Sequence, residues 1–95
     1  PFARLQQRLG RKRPSPAILA KHPCIFLAYD CLALGGRDLR GEPTHARRAT
    51  LDTLPVRRSP VLAPVAWDEA AALRASARGR GVEGLMLKRR DAPYP

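Results

Sequence analysis

The run Cys24-Ile25-Phe26-Leu27-Ala28-Tyr29-Asp30-Cys31-Leu32 does most to limit what this chain can fold into. It is the most apolar stretch, it is short, and it is rich in strand-forming side chains. Gly35-Gly36 follows as a turn signal. The run is expected to form a central strand, with room for a short strand beyond the turn at Arg37 to Leu39. Alternation puts Tyr29 on one face with Ile25, Leu27 and Cys31. Asp30 then faces the other way, near Phe26 and Ala28. An acid inside such a run costs free energy unless it finds partners. It is either a strand-end residue accepting turn hydrogen bonds or part of a site.

A second run, Val82-Glu83-Gly84-Leu85-Met86-Leu87-Lys88-Arg89-Arg90, is entered from the glycine-rich turn at Gly79 and Gly81. Period-two spacing puts Leu85 and Leu87 on one face and Met86 and Lys88 on the other. On pattern alone this is a core strand with a solvated basic exit, or a pocket wall for a flat, anionic ligand.

Helical signals fill the remainder. Phe2, Leu5 and Leu9 recur at helical spacing before Gly10. Ser15-Pro16 reads as an N-cap and first helical residue, with a helix through Lys21 that His22-Pro23 stops. Thr44 is expected to cap a helix from His45 to about Leu54. Ala46, Ala49, Leu51 and Leu54 would pack, and Arg47, Arg48 and Asp52 would be exposed. Val61 to Val65 suits only an edge strand or extended segment, because its prolines lack a ladder donor. Asp68-Glu69 opens a helix through Arg78, with acids first and bases last as the helix dipole prefers. The order implies an α+β fold without βαβ regularity.

Ninety-five residues allow one small domain. A chain of this size buries only about 60–65% of its unfolded surface. The net charge is +10, and fifteen of eighteen cations are Arg, which suits phosphate and so nucleic acid or a nucleotide. Scattered Arg also serves as plain solvated surface. Cys24 and Cys31 are separated by an odd number of positions, so a strand would hold them on opposite faces. Together with His22 and His45 they offer no zinc spacing. Free buried thiols in a reducing cytoplasm are expected. No stretch approaches the ~18 apolar residues of a membrane helix, so no membrane partner is expected.

Several chemistries lack their residues. The glycines show no phosphate-loop spacing and no Lys-Ser/Thr end. Ser15, Ser59 and Ser76 sit in no nucleophile elbow. What remains is a divided site, with Tyr29-Asp30 on one strand and Glu83, Met86 and Lys88 on the other. Were the two adjacent, a flat base could lie between the Tyr29 ring and the Met86 sulfur. Glu83 could hold a divalent cation, and Lys88 could meet a phosphate.

Phe26-Leu27-Ala28-Tyr29-Asp30-Cys31-Leu32 resembles motif IIIa of ATP-dependent DNA ligases, and Glu83-Gly84-Leu85-Met86-Leu87-Lys88 resembles their motif IV. The separation is similar too, as are Arg80-Gly81-Val82 before and Arg89-Arg90-Asp91-Ala92-Pro93-Tyr94 after. The likeness is greatest to bacterial enzymes and spans residues 1–95. It implies one partial domain, the later part of a ligase-type adenylation domain, with a mostly antiparallel sheet and flanking helices. It implies ATP and Mg²⁺ as cofactors, nicked duplex DNA and the remainder of a ligase chain as partners, and a monomer. Tyr29 then matches the adenine-stacking aromatic and Met86 the residue on the adenine's other face. Glu83 matches the acid that assists the catalytic metal, and Lys88 is assigned to phosphate.

The family's lysine nucleophile stands in a Lys-x-Asp-Gly setting. Lys12, Lys21 and Lys88 are followed instead by Arg-Pro-Ser, His-Pro-Cys and Arg-Arg-Asp. These residues alone are therefore expected not to adenylate themselves. Alternation also separates Glu83 from Met86, which the family uses in one pocket; a bend at Gly84 would reconcile them. Two other classes fit the same residues: a non-catalytic basic nucleic-acid-binding module, and a related RNA ligase or capping nucleotidyltransferase. Open sheet edges are expected to make the piece marginally stable.

Overall fold

The computed structural model describes residues 2–95. Its elements are α1 (Phe2–Gln6), α2 (Pro16–Lys21), β1 (Ala33–Leu34), β2 (Arg37–Asp38), α3 (Thr44–Asp52), α4 (Trp67–Ala75) and a 3-10 turn at Arg78–Arg80. The architecture is α+β, and β1 and β2 form a two-stranded antiparallel sheet with Ala33 opposite Asp38 and Leu34 opposite Arg37. Gly35 and Gly36 join them with φ of 59° and 81°. Two consecutive positive φ values make a hairpin turn whose twist matches its strands, and glycine adopts them without a Cβ penalty.

The local signals for helices hold. Ser15 caps α2, its hydroxyl accepting from the Ile18 amide at 3.4 Å, with Pro16 in the first turn. Helix α4 starts at Trp67 and ends at Ala75, short of Arg78. Glu69 reaches back to accept from the Val65 amide at 3.0 Å. Helix α3 differs in its cap. Thr44 is its first helical residue, and the preceding Pro43 makes no side-chain bond.

The exit segment supplies that cap instead. The amides of Thr44 and His45 donate to the carbonyls of Ala92 (2.9 Å) and Arg90 (3.0 Å). The Thr44 hydroxyl also donates to Ala92 O at 3.0 Å, and the Tyr94 amide donates to Arg40 O at 2.9 Å. Donors that a helix start leaves without an internal partner are thus satisfied by backbone from the far end of the chain. This strap fixes the segment that carries Lys88.

The expected long strands are absent among the described residues. The run 24–32 makes one isolated parallel bridge, Ala28 to Arg58. There Ala28 N donates to Arg57 O (2.9 Å) and Ser59 N to Ala28 O (2.8 Å). Residues 83–88 are irregular, as are 61–65, and no described backbone group pairs with 83–88. An extended segment becomes a strand only when a neighbour takes its donors and acceptors.

The core is correspondingly small: Ala28, Cys31, Leu39 and Leu51 are buried together, with Leu54 against them. Cys24 is exposed rather than buried; it and Cys31 are both free. The Cα radius of gyration is 16.6 Å, where a compact chain of this length has about 12 Å. The accessible surface is 8078 Å², against roughly 5,400 Å² for a compact protein of this mass. Phe26, Val65, Trp67, Met86 and Leu87 lie largely open. No described helix is long and apolar enough to cross a membrane.

Candidate functional site

Asp30 is where the run 24–32, helix α3 and the exit segment converge. Its carboxylate is only 7% exposed. Arg47 grips it with two prongs, Nε to Oδ1 at 2.9 Å and Nη2 to Oδ2 at 3.1 Å. The Cys31 amide donates to Oδ1 at 2.9 Å, and Lys88 Nζ donates to Oδ2 at 2.6 Å. Burial alone would raise the Asp30 pKa. Hydrogen bonds from Arg47 and Lys88, and their charges, outweigh burial and bring it from 3.8 down to about 2.

Arg47 was expected on an exposed helix face, yet its side chain is 1% exposed. It lies one turn before buried Leu51, on the inward stripe of α3. Its guanidinium is satisfied there by Asp30, by Glu42 O and by the Thr44 hydroxyl at 3.3 Å. Its Cζ lies 5.8 Å from the centre of the Tyr94 ring. Periodicity missed this residue because it treats Arg as an outward group. The signal was Asp30 itself, an acid in an apolar run that required a cation.

Lys88 is placed similarly. Its ammonium lies 4.9 Å from the Tyr29 ring centre, within cation–π range, while bonding Asp30. The structure thus brings together Tyr29, Asp30 and Lys88. Tyr29 is 54% exposed and lines a concavity of about 260 Å³ with Phe26, Leu27, Leu32 and Tyr94. Glu83 and Met86 stand elsewhere. They line a second, wider concavity with Phe2, Val82 and Leu85. Tyr29 and Met86 line different concavities. Among the described residues no three His, Cys, Asp or Glu side chains gather as a metal site, so Glu83 offers a single carboxylate.

The Tyr29 concavity is walled by aromatic and aliphatic side chains that can meet a flat ring, Asp30 is its one charged lining residue, and the cluster of Asp30 with Arg47 and Lys88 carries one net positive charge. A family model described as ATP dependent DNA ligase domain matches residues 1–95. The chain belongs to the ATP-dependent DNA ligase domain family. It is similar to the DNA ligase of Haloferax volcanii, with 36% identity over 98 residues covering 99% of this chain and 17% of that one. It is 37% identical to DNA ligase C2 of Mycolicibacterium smegmatis over 98 residues, covering 98% and 28% of the two chains. A probable DNA ligase of Anaeromyxobacter sp. (strain K) is 36% identical over 96 residues, covering 99% and 19%. This ligase-family chain therefore spans between 17% and 28% of the length of these relatives. No solved structure matches it.

Proposed function

We propose that this chain is part of an ATP-dependent DNA ligase that seals nicks in duplex DNA. The observation that carries this reading is the family match across residues 1–95. The family reaction runs through a lysyl-adenylate and then a DNA-adenylate, from which the 3′-hydroxyl displaces AMP. Tyr29 stacks the adenine, and Met86 covers the base's other face once the unpaired segment 83–87 is drawn toward Tyr29. Support for Tyr29 comes from its half-open ring beside a net positive cluster. A purine is flat and has a π-face that any aromatic ring can meet.

Glu83 would help hold a divalent cation. One carboxylate suffices for that, because Mg²⁺ keeps several waters and takes further oxygens from phosphates. The cation would neutralise charge on the transferring phosphate. The net charge of +10 favours duplex DNA, whose affinity for proteins comes largely from its phosphates.

The test uses the intact protein with ATP, Mg²⁺ and a duplex carrying a 5′-phosphorylated nick. Sealing is expected, and Tyr29→Ala and Glu83→Ala each abolish it while binding to the duplex stays nearly unchanged. An intact protein that binds nicked DNA but never seals it, or variants that seal at the parental rate, would sink the reading. A nicked RNA duplex run in parallel separates an RNA-sealing relative.

A further inference from the structure

Lys88 donates to Asp30 Oδ2 at 2.6 Å while its ammonium sits 4.9 Å from the Tyr29 ring centre. We infer that Lys88 is a positioning residue, held between the Asp30 carboxylate and one face of the Tyr29 ring so that the ring's other face is offered to a flat heterocyclic base. The inference rests on the reading of Tyr29 as the base-stacking residue, and it takes from Lys88 the phosphate contact expected of it.

Three observations carry it. First, the carboxylate that Lys88 bonds is held from elsewhere. The two-pronged grip of Arg47 and the Cys31 amide bond fix the Asp30 carboxylate. A charge-assisted bond to a fixed, shielded acceptor is among the stronger side-chain contacts. Second, the backbone just beyond Lys88 is strapped to α3 through the carbonyls of Arg90 and Ala92. The lysine stem therefore starts from an anchored point. Third, the Lys88 side chain is 26% exposed, while Tyr29 remains 54% exposed. The cation is partly enclosed and the ring is half open, as a backing and a platform should be. To reach a phosphate, the ammonium would have to abandon both the carboxylate and the ring.

The experiment measures inhibition of enzyme adenylation by adenosine and by pyrophosphate, together with the KM for ATP, in the intact protein. Lys88→Met keeps an apolar stem and removes the charge. It is expected to weaken adenosine and ATP by the same factor, roughly threefold to tenfold for a partly shielded cation–π contact, and to leave pyrophosphate unchanged. Lys88→Arg, which also sits well over aromatic faces, should restore most of the loss. Combined with Tyr29→Leu, Lys88→Met should add nothing further, because it acts through that ring. A loss confined to ATP and pyrophosphate makes Lys88 a phosphate ligand and overturns the inference; so does no loss at all. Where Lys88→Met fails to fold, Lys88→Gln, whose amide can still bond Asp30, is held to the same comparison. If Tyr29→Leu leaves adenosine binding intact, the base-stacking reading has failed. If Tyr29→Leu weakens adenosine and Lys88→Met does not, only the role of Lys88 has failed.

Discussion

Two irregular apolar segments of this chain are held very differently. The segment 24–32 is tied at Ala28 to the loop around Arg58, at Asp30 to α3 and Lys88, and at Cys31 to the small core. The segment 83–87 has no such tie among the described residues: Met86 is 66% and Leu87 72% exposed. Segment 24–32 is the more apolar, yet Phe26 within it is 77% exposed. The ion pairs that it has and that 83–87 lacks among the described residues join one carboxylate, Asp30, to two cations. Apolar side chains make a segment willing to be covered, but hydrogen-bonded charges decide where this one is held. In a molecule with so few buried residues, polar anchors carry an unusual share of the positioning.

Removing the chief anchor should make the two segments alike. Arg47→Ala leaves the Asp30 carboxylate shielded with only Lys88 and one amide to balance it. Breaking such a pair typically costs about 3–5 kcal/mol. The molecule is only 23 Å deep in its thinnest direction, so the low-dielectric surroundings are shallow and a loss of ~3 kcal/mol, the low end, is expected. Hydrogen exchange of the α3 amides and of Ala28 and Ser59 in the intact protein reads it. Unchanged protection there would mean that the parallel bridge and the core hold segment 24–32 without the ion pair.

Acid should loosen the same anchor more gently. The folded Asp30 pKa, about 2, lies below its ordinary 3.8. A depressed carboxylate stabilises the folded state fully above the unfolded value and loses that contribution as pH falls through the folded value. The loss should therefore fall between about pH 4 and pH 2 and amount to roughly 2 kcal/mol. Exchange protection in α3, corrected for intrinsic rates, should drop across that window, and a carbon-detected titration should place Asp30 near its lower edge. A midpoint near 4 would mean that Arg47 and Lys88 do not hold the carboxylate in solution.

These anchors explain what could be read from the sequence. Helix α2 and the Gly35-Gly36 hairpin rest on neighbours in the chain, a Ser-Pro cap and two glycines, so local pattern finds them. The family was legible from two short motifs and the residues around them. The strands expected at 24–32 and 82–88 were not legible as strands, because alternation states only which faces would be buried. Pairing depends on a neighbour that the pattern does not name. Arg47 escaped for a related reason: its burial depends on an acid 17 residues away. The meeting of Asp30 and Lys88 spans 58 residues, a distance that no periodicity encodes. Residue types could nominate Tyr29, Asp30, Glu83, Met86 and Lys88 as site candidates; that Tyr29 and Asp30 line one concavity, Glu83 and Met86 another, and that Lys88 bonds Asp30, required coordinates.

The smallest expected effect concerns the strap. Thr44→Val keeps the β-branched shape and removes the hydroxyl that donates to Ala92 O at 3.0 Å. Ala92 O still accepts from the Thr44 amide at 2.9 Å, so no carbonyl is stranded. Arg47 loses one acceptor at 3.3 Å but keeps Asp30 and Glu42 O. The cost should therefore be that of one ordinary hydrogen bond, ~1 kcal/mol. It should appear as faster exchange at Thr44 and His45, with Ala28 and Ser59 unaffected. The strap would then yield before the carboxylate cluster does, because Lys88 keeps its own bond to Asp30. Equal loosening at Ala28 would show that strap and cluster open as one unit, and that segment 24–32 is held through the exit segment rather than beside it.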